Sequence, residues 1–84
     1  MYRAIIVEDE LLIRVAYQSL ADWNAYGFEL AGVFENGQAA LEAFDDIRPD
    51  LVLTDTKMPL CGGIELISGV KTRSPETICI ILSA

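Results

Sequence analysis

Three carboxylates stand together at Glu8, Asp9 and Glu10, and a fourth, Asp55, follows directly on the run "LVLT" at 51–54. If two strands carry Asp9 and Asp55 side by side, with Glu8 nearby, like charges at that range oppose joint ionisation. Either one group takes up a proton or a cation lies between them. A few carboxylates at an open strand end, with water and room for a phosphoryl oxygen, suit Mg2+. Such an ion makes a second anion tolerable beside Asp55. That is the condition for a carboxylate to accept a phosphoryl group as a nucleophile.

Several of these residues have a plainer role open to them. An acid at a helix start complements the helix dipole, which suits Glu10. Asp45, Asp46 and Asp50 read as a solvated acidic surface. Ser83 reads as a turn residue at a strand end, and Met58-Pro59 as a lock that stiffens the loop beyond Asp55. The grouping of Glu8, Asp9 and Asp55 at two strand ends is what favours a site over solvated loops.

The elements that must position these acids are legible as alternating patterns. "YRAIIV" (2–7) is a β-branched run of the kind buried on both faces. Leu12, Ile13, Ala16, Tyr17 and Leu20 recur at helical spacing, which predicts a helix over 10–22, with Gly27 as a turn residue after it. "ELAGVF" (29–34) is a weaker strand. Asn36 is the expected N-cap of a second helix, with Ala40, Leu41, Phe44 and Ile47 on its inner face and Pro49 at its end. "DLVLT" (50–54) is a third strand. Gly62 and Gly63 precede a helix with Ile64, Ile67 and Val70 on one face, closed by Pro75, and "TICIIL" (77–82) is a fourth strand.

The order βαβαβαβ predicts a parallel sheet with helices on its faces and right-handed crossovers. In such sheets the site lies beyond the carboxyl ends of the strands, near the point where strand order reverses. That rule selects Glu8, Asp9 and Glu10 after the first strand, Asp55 after the third and Ser83 after the fourth.

Composition narrows the function classes. The chain has 84 residues, 52% hydrophobic and 23% charged, enough for one small domain with a real core. Net charge is −7, which repels a phosphate backbone, so nucleic-acid binding by this segment is not expected. No apolar run approaches the roughly 18 residues of a membrane span, and "MYRAIIVEDE" is not a signal peptide. A cytoplasmic location follows as the expectation. Cys61 and Cys79 are not expected to pair in that compartment, and with no histidine a zinc site is not expected. Cys79, inside an apolar run, reads as a small core residue.

"IIVEDE" at 5–10, "PDLVLTDTKMP" at 49–59 and "IILSA" at 80–84, in that order, resemble the receiver domain of two-component response regulators. The resemblance covers the whole chain and implies a doubly wound, flavodoxin-like α/β sandwich. It implies that Glu8 and Asp9 are the acidic pair holding Mg2+ and that Asp55 is the phosphoacceptor. Lys57 matches the position whose backbone carbonyl completes the metal shell. Ser83 matches the hydroxyl that turns toward the phosphoryl group, and Ala84 the small residue that leaves it room. "DWNAYGFELAG" at 22–32 more narrowly resembles receivers of regulators with an AraC-type helix-turn-helix output domain. Trp23, Tyr26 and Phe28 within it read equally as a hydrophobic plug closing the first helix onto the sheet.

The resemblance has departures. Thr56 stands where the family usually has a bulky apolar residue, and Gly62 replaces a polar one. The chain ends at the fourth strand, so residues 1–84 read as an incomplete receiver of four strands, in the order 2-1-3-4, and three helices. The family's fourth helix, fifth strand and fifth helix are expected to be absent. So is the lysine ending the fifth strand, since neither Lys57 nor Lys71 matches it. The function implied is a phosphoacceptor module, not a conventional enzyme, that takes a phosphoryl group from a sensor histidine kinase to control a transcriptional output domain. The alternative is a degenerate receiver that binds a partner without phosphorylation. A hydrolase with an aspartate nucleophile ranks last, because such enzymes want an acid two residues on, where Lys57 stands. The fourth strand, uncharged and without proline, is expected to be an open edge through which the chain self-associates.

Overall fold

A computed structural model describes residues 1–58 and 60–82. Its elements are β1 (Tyr2–Val7), α1 (Leu11–Gln18), a 3-10 turn (Asn24–Tyr26), β2 (Phe28–Phe34), α2 (Gly37–Ile47), β3 (Leu51–Thr54), α3 (Gly63–Arg73) and β4 (Ile78–Ile81). The strands form one parallel sheet in the order β2-β1-β3-β4. This is the expected doubly wound arrangement. The chain steps one way from β1 to β2 and then back past β1 to β3. Right-handed crossovers therefore put α1 on one face and α2 and α3 on the other.

The core lies between the sheet and α2/α3. Ile5, Val7 and Val52 point into it from the strands, and Ala40, Phe44, Leu66 and Val70 from the helices. Cys79 packs against this cluster, half-buried. Ala4 and Ile6, on the other face of β1, are buried too, which is why that strand reads as a continuous apolar run. Ala31 is an extra residue in β2, since Ala4 pairs with Leu30 and Ile5 with Gly32.

The Asn36 side chain accepts the Ala39 N–H at 2.8 Å and caps α2 as expected. Helix α2 ends where Arg48 turns left-handed (φ 52°), one residue before Pro49. Gly27 closes the 3-10 turn, also left-handed (φ 84°).

Three expectations are corrected. The first helix is shorter than 10–22. The Ser19 N–H bonds both Val15 and Ala16, the Leu20 N–H bonds Tyr17, and the Trp23 indole takes the Gln18 carbonyl. These tightened bonds unwind the helix end. Only Ile13 and Tyr17 of its expected stripe are half-buried, while Leu12, Ala16 and Leu20 are exposed. Among the described residues α1 has the sheet on one side and no second helix beside it.

The inner face of α3 is Gly63, Leu66 and Val70, with Ile67 at its margin; Ile64 is exposed. A Cβ at Gly63 would lie far inside contact with the Asp55 carbonyl oxygen, so this glycine presses the helix start onto the strand end and sets the rotation of α3. In the aromatic plug, Trp23 meets Phe28 edge-on at 6.2 Å and Tyr2 lies 5.9 Å from Phe28, but Tyr26 is exposed.

Candidate acidic metal site

Parallel pairing of β1 with β3 puts Val7 opposite Thr54. The ladders then run one residue past the strands. The Asp55 N–H donates to the Val7 carbonyl at 3.3 Å, Glu8 N–H to Phe34 at 2.9 Å, and Leu82 N–H to Thr54 at 2.9 Å. Backbone pairing thus delivers Glu8, Asp9 and Asp55 to one edge. One carboxylate oxygen from each lies within 4.8 Å of the other two. Glu10 is not part of the group; it is the N-cap position of α1 and its side chain makes no capping bond.

The three acids differ in environment. Asp9 is exposed and Asp55 half-buried, but Glu8 is only 1% exposed. Oε2 of Glu8 accepts the Glu10 N–H at 2.9 Å, whereas Oε1 is buried without any hydrogen-bond partner among the described residues. Burial pushes the Glu8 carboxyl above its ordinary range. The Glu10 N–H pulls it partly back, and Asp9 and Asp55 raise it further. The Tyr17 phenol is raised first by burial and then by the charges on Glu8 and Asp55. An unpartnered buried carboxylate oxygen is costly. A hard divalent cation shared with Asp9 and Asp55 would satisfy it, and an all-oxygen donor set suits such an ion. The residues present therefore fit a metal ion.

Asp55 is held by its own loop. Its Oδ1 accepts the Thr56 N–H at 2.8 Å and lies 3.5 Å from the Thr56 hydroxyl. The buried Thr54 hydroxyl donates to the Asp55 carbonyl at 2.9 Å, and the Gly63 N–H ties the start of α3 to the Thr56 carbonyl at 2.9 Å. Lys57 follows in the same loop with its side chain exposed. Lys71 is at the far end of the sheet, donating to the carbonyls of Pro75 and Thr77. Ser83, Ala84 and Pro59 lie outside the described residues.

Arg14 carried no sequence signal, yet its guanidinium reaches the carbonyls of Glu8 and Asp9. Five or six residues of separation across a loop and a helical turn match no local motif, so only the fold reveals the contact.

Comparison with known proteins agrees with this architecture. A model of the response regulator receiver domain matches residues 4–84. A transcriptional regulatory protein of Bacillus subtilis, YesN, is 36% identical over 83 residues, which is 99% of this chain and 23% of that protein. The chemotaxis protein CheY of Thermotoga maritima is 32% identical over 98% of this chain and 67% of its own length. Among solved structures, the receiver domain of the response regulator AraT from Geobacillus stearothermophilus superposes with a TM-score of 0.92 at 28% identity, covering 98% of this chain and 64% of that one. A two-component transcriptional regulator AraC from Clostridium phytofermentans gives 0.91 at 30%, covering 100% and 68%. The chain thus spans about a quarter of YesN and about two thirds of these two solved chains. Strand order, strand-end acids and these likenesses agree: the chain belongs to the response regulator receiver domain family.

Proposed function

We propose that this receiver domain is a phosphoacceptor, with Asp55 as the residue phosphorylated by a sensor histidine kinase in a Mg2+-dependent reaction. The observation that carries this reading is Glu8, whose Oε1 is buried without a partner among the described residues and which brings a carboxylate oxygen within 4.8 Å of those of Asp9 and Asp55. Glu8, Asp9, Asp55 and the backbone carbonyl of Lys57 would hold the ion. When bound, it supplies positive charge that lets a phosphoryl group approach the carboxylates.

The chain's own residues do the remainder. The Thr56 N–H fixes the Asp55 carboxylate in one orientation. A carboxylate oxygen of Asp55 forms the new P–O bond while the P–N bond of a phosphohistidine breaks, its electron pair returning to the imidazole. The half-buried setting of Asp55 limits competing water, and Ser83 would offer its hydroxyl to the transferred group. The reaction modifies the domain itself, so the module is a switch and not a conventional enzyme.

The same reading takes residues 1–84 as part of a receiver whose output is transcriptional, as in YesN, acting in the cytoplasm and without binding nucleic acid through this acidic segment. It includes self-association along β4. Ile78 and Ile80 are exposed there, and the outer edge of the strand has no neighbour among the described residues. The deciding experiment is incubation of the chain with a small phosphodonor and Mg2+, read by intact mass. A single phosphoryl adduct that disappears in Asp55→Asn is expected; an adduct that persists in that variant refutes the assignment.

A further inference from the structure

Arg14 binds three successive carbonyls of the segment that carries the acids. Its backbone N–H donates to Glu10 at 2.9 Å. Its Nη1 donates to Glu8 at 2.8 Å and to Asp9 at 3.2 Å. The residue is half-buried, and among the described residues its guanidinium forms no ion pair.

The choice of acceptor is informative. A guanidinium bonds a carboxylate more strongly than a carbonyl, and Glu8 and Asp9 each offer both. Bonding their carbonyls places a positive charge behind the acidic pair while leaving the carboxylate oxygens turned toward Asp55. Bonding the carboxylates instead would occupy the oxygens a cation needs. Without this anchor, repulsion between Asp9 and Asp55 would be relieved by the loop swinging open, since Asp9 is exposed and its segment is otherwise held by the Glu8 N–H and Oε2 bonds.

We propose that Arg14 is a positioning residue for the divalent-cation site, anchoring the backbone of Glu8 and Asp9 so that their carboxylates converge with Asp55. The inference rests on the metal-holding role proposed for those three acids. Lysine is a partial substitute, because it keeps the charge and can donate more than one bond from one nitrogen, but on a more mobile stem and a more strongly hydrated head.

The test is a Mg2+ titration of the 84-residue chain, followed through the amide resonance of Thr56, with urea melts in chelator run alongside. Arg14→Met should weaken Mg2+ binding roughly tenfold or more, as loss of a residue supporting metal ligands does. Arg14→Lys should weaken it about threefold, with metal-free stability close to wild type. A purely structural role for Arg14 lowers metal-free stability and leaves the affinity alone, and that result overturns the proposal. If Arg14→Met does not fold, Arg14→Lys decides, and wild-type affinity in that variant overturns it. A wild-type chain with no Mg2+ titration overturns the metal site itself and the role of Arg14 with it. A titrating wild type with unchanged variants overturns the role of Arg14 alone.

Discussion

Two glycines of α3 test how tightly that helix is fitted to the candidate site. Gly63 and Gly69 lie in one helix, and alanine at either gains helix propensity, at most about 1 kcal/mol. What the new methyl group meets differs. At Gly63 it would overlap the Asp55 carbonyl oxygen, with Thr56 Cα at 3.0 Å and Asp55 C at 3.1 Å, all backbone. At Gly69 it would meet the Leu41 methyls at 3.0 and 3.1 Å and Arg73 Nη1 at 3.3 Å, all ends of flexible side chains. Overpacking against rigid neighbours costs about 1–3 kcal/mol, so Gly63→Ala should lose about 1–2 kcal/mol net. Leu41 and Arg73 can shift, so Gly69→Ala should be neutral or gain a few tenths to about 1 kcal/mol. The expected gap of about 2 kcal/mol corresponds to roughly 10 °C in Tm for a domain of this size. Thermal and urea melts of both variants measure it. Phosphodonor labelling should slow in Gly63→Ala and not in Gly69→Ala, because only the first displaces Asp55. If the two variants melt together, or if Gly63→Ala is the more stable, then α3 has slack against the strand end and the account of its rotation fails.

Asp55→Asn keeps size and removes one charge from the cluster, so its melting temperature should equal or exceed that of wild type in chelator; a large loss would mean the carboxylate is needed for folding. Glu8 gives a pH signature. Its folded pKa lies above the unfolded value, so the native state holds the proton more tightly. The penalty is absent below the ordinary glutamate range and grows as pH rises, becoming complete above the raised value. Urea melts in chelator from about pH 4 to pH 8 should therefore show Glu8→Gln gaining stability relative to wild type as pH rises, and parallel curves would contradict the burial assigned to this side chain. Asn36→Ala removes the bond to the Ala39 N–H and should cost about 1 kcal/mol; an unchanged urea midpoint would show that the cap contributes nothing. Sedimentation at increasing concentration should show self-association that a lysine at Ile80 suppresses, whereas a monomer at every concentration would refute pairing along β4.

What the sequence determined by itself was local. Strand identity in "YRAIIV" and "TICIIL" is a matter of adjacent β-branched residues. The start of α2 depends on Asn36 and an N–H three residues away, and its end on Pro49, which disfavours helix in the residue before it. Because these determinants lie within one element, the order of elements was legible, whereas the strand order was implied by the receiver resemblance and is shown by the sheet itself. The strand-end acids followed from topology, since a parallel sheet sends its carboxyl ends to one edge.

Tertiary structure decided the features that depend on contacts between distant residues. In α3 the sequence reading sets Ile64, Ile67 and Val70 on one face, but Leu66 is apolar too and lies four residues before Val70, so the helix can turn either way. Propensity does not choose between the two; the contact of Gly63 with the Asp55 carbonyl does. In α1 the spacing of Leu12, Ala16 and Leu20 promised burial, but burial needs a surface on the other side, and those residues face solvent. Glu8 and Asp9 are near-equivalent as letters. The alternation of the strand sends Glu8 inward with an unpartnered oxygen and leaves Asp9 outside. Arg14 is an ordinary helix residue until the fold aims it at the backbone of both acids. Local preference specifies which element a residue joins, whereas helix rotation, burial and convergence arise only when separate elements exclude water between them.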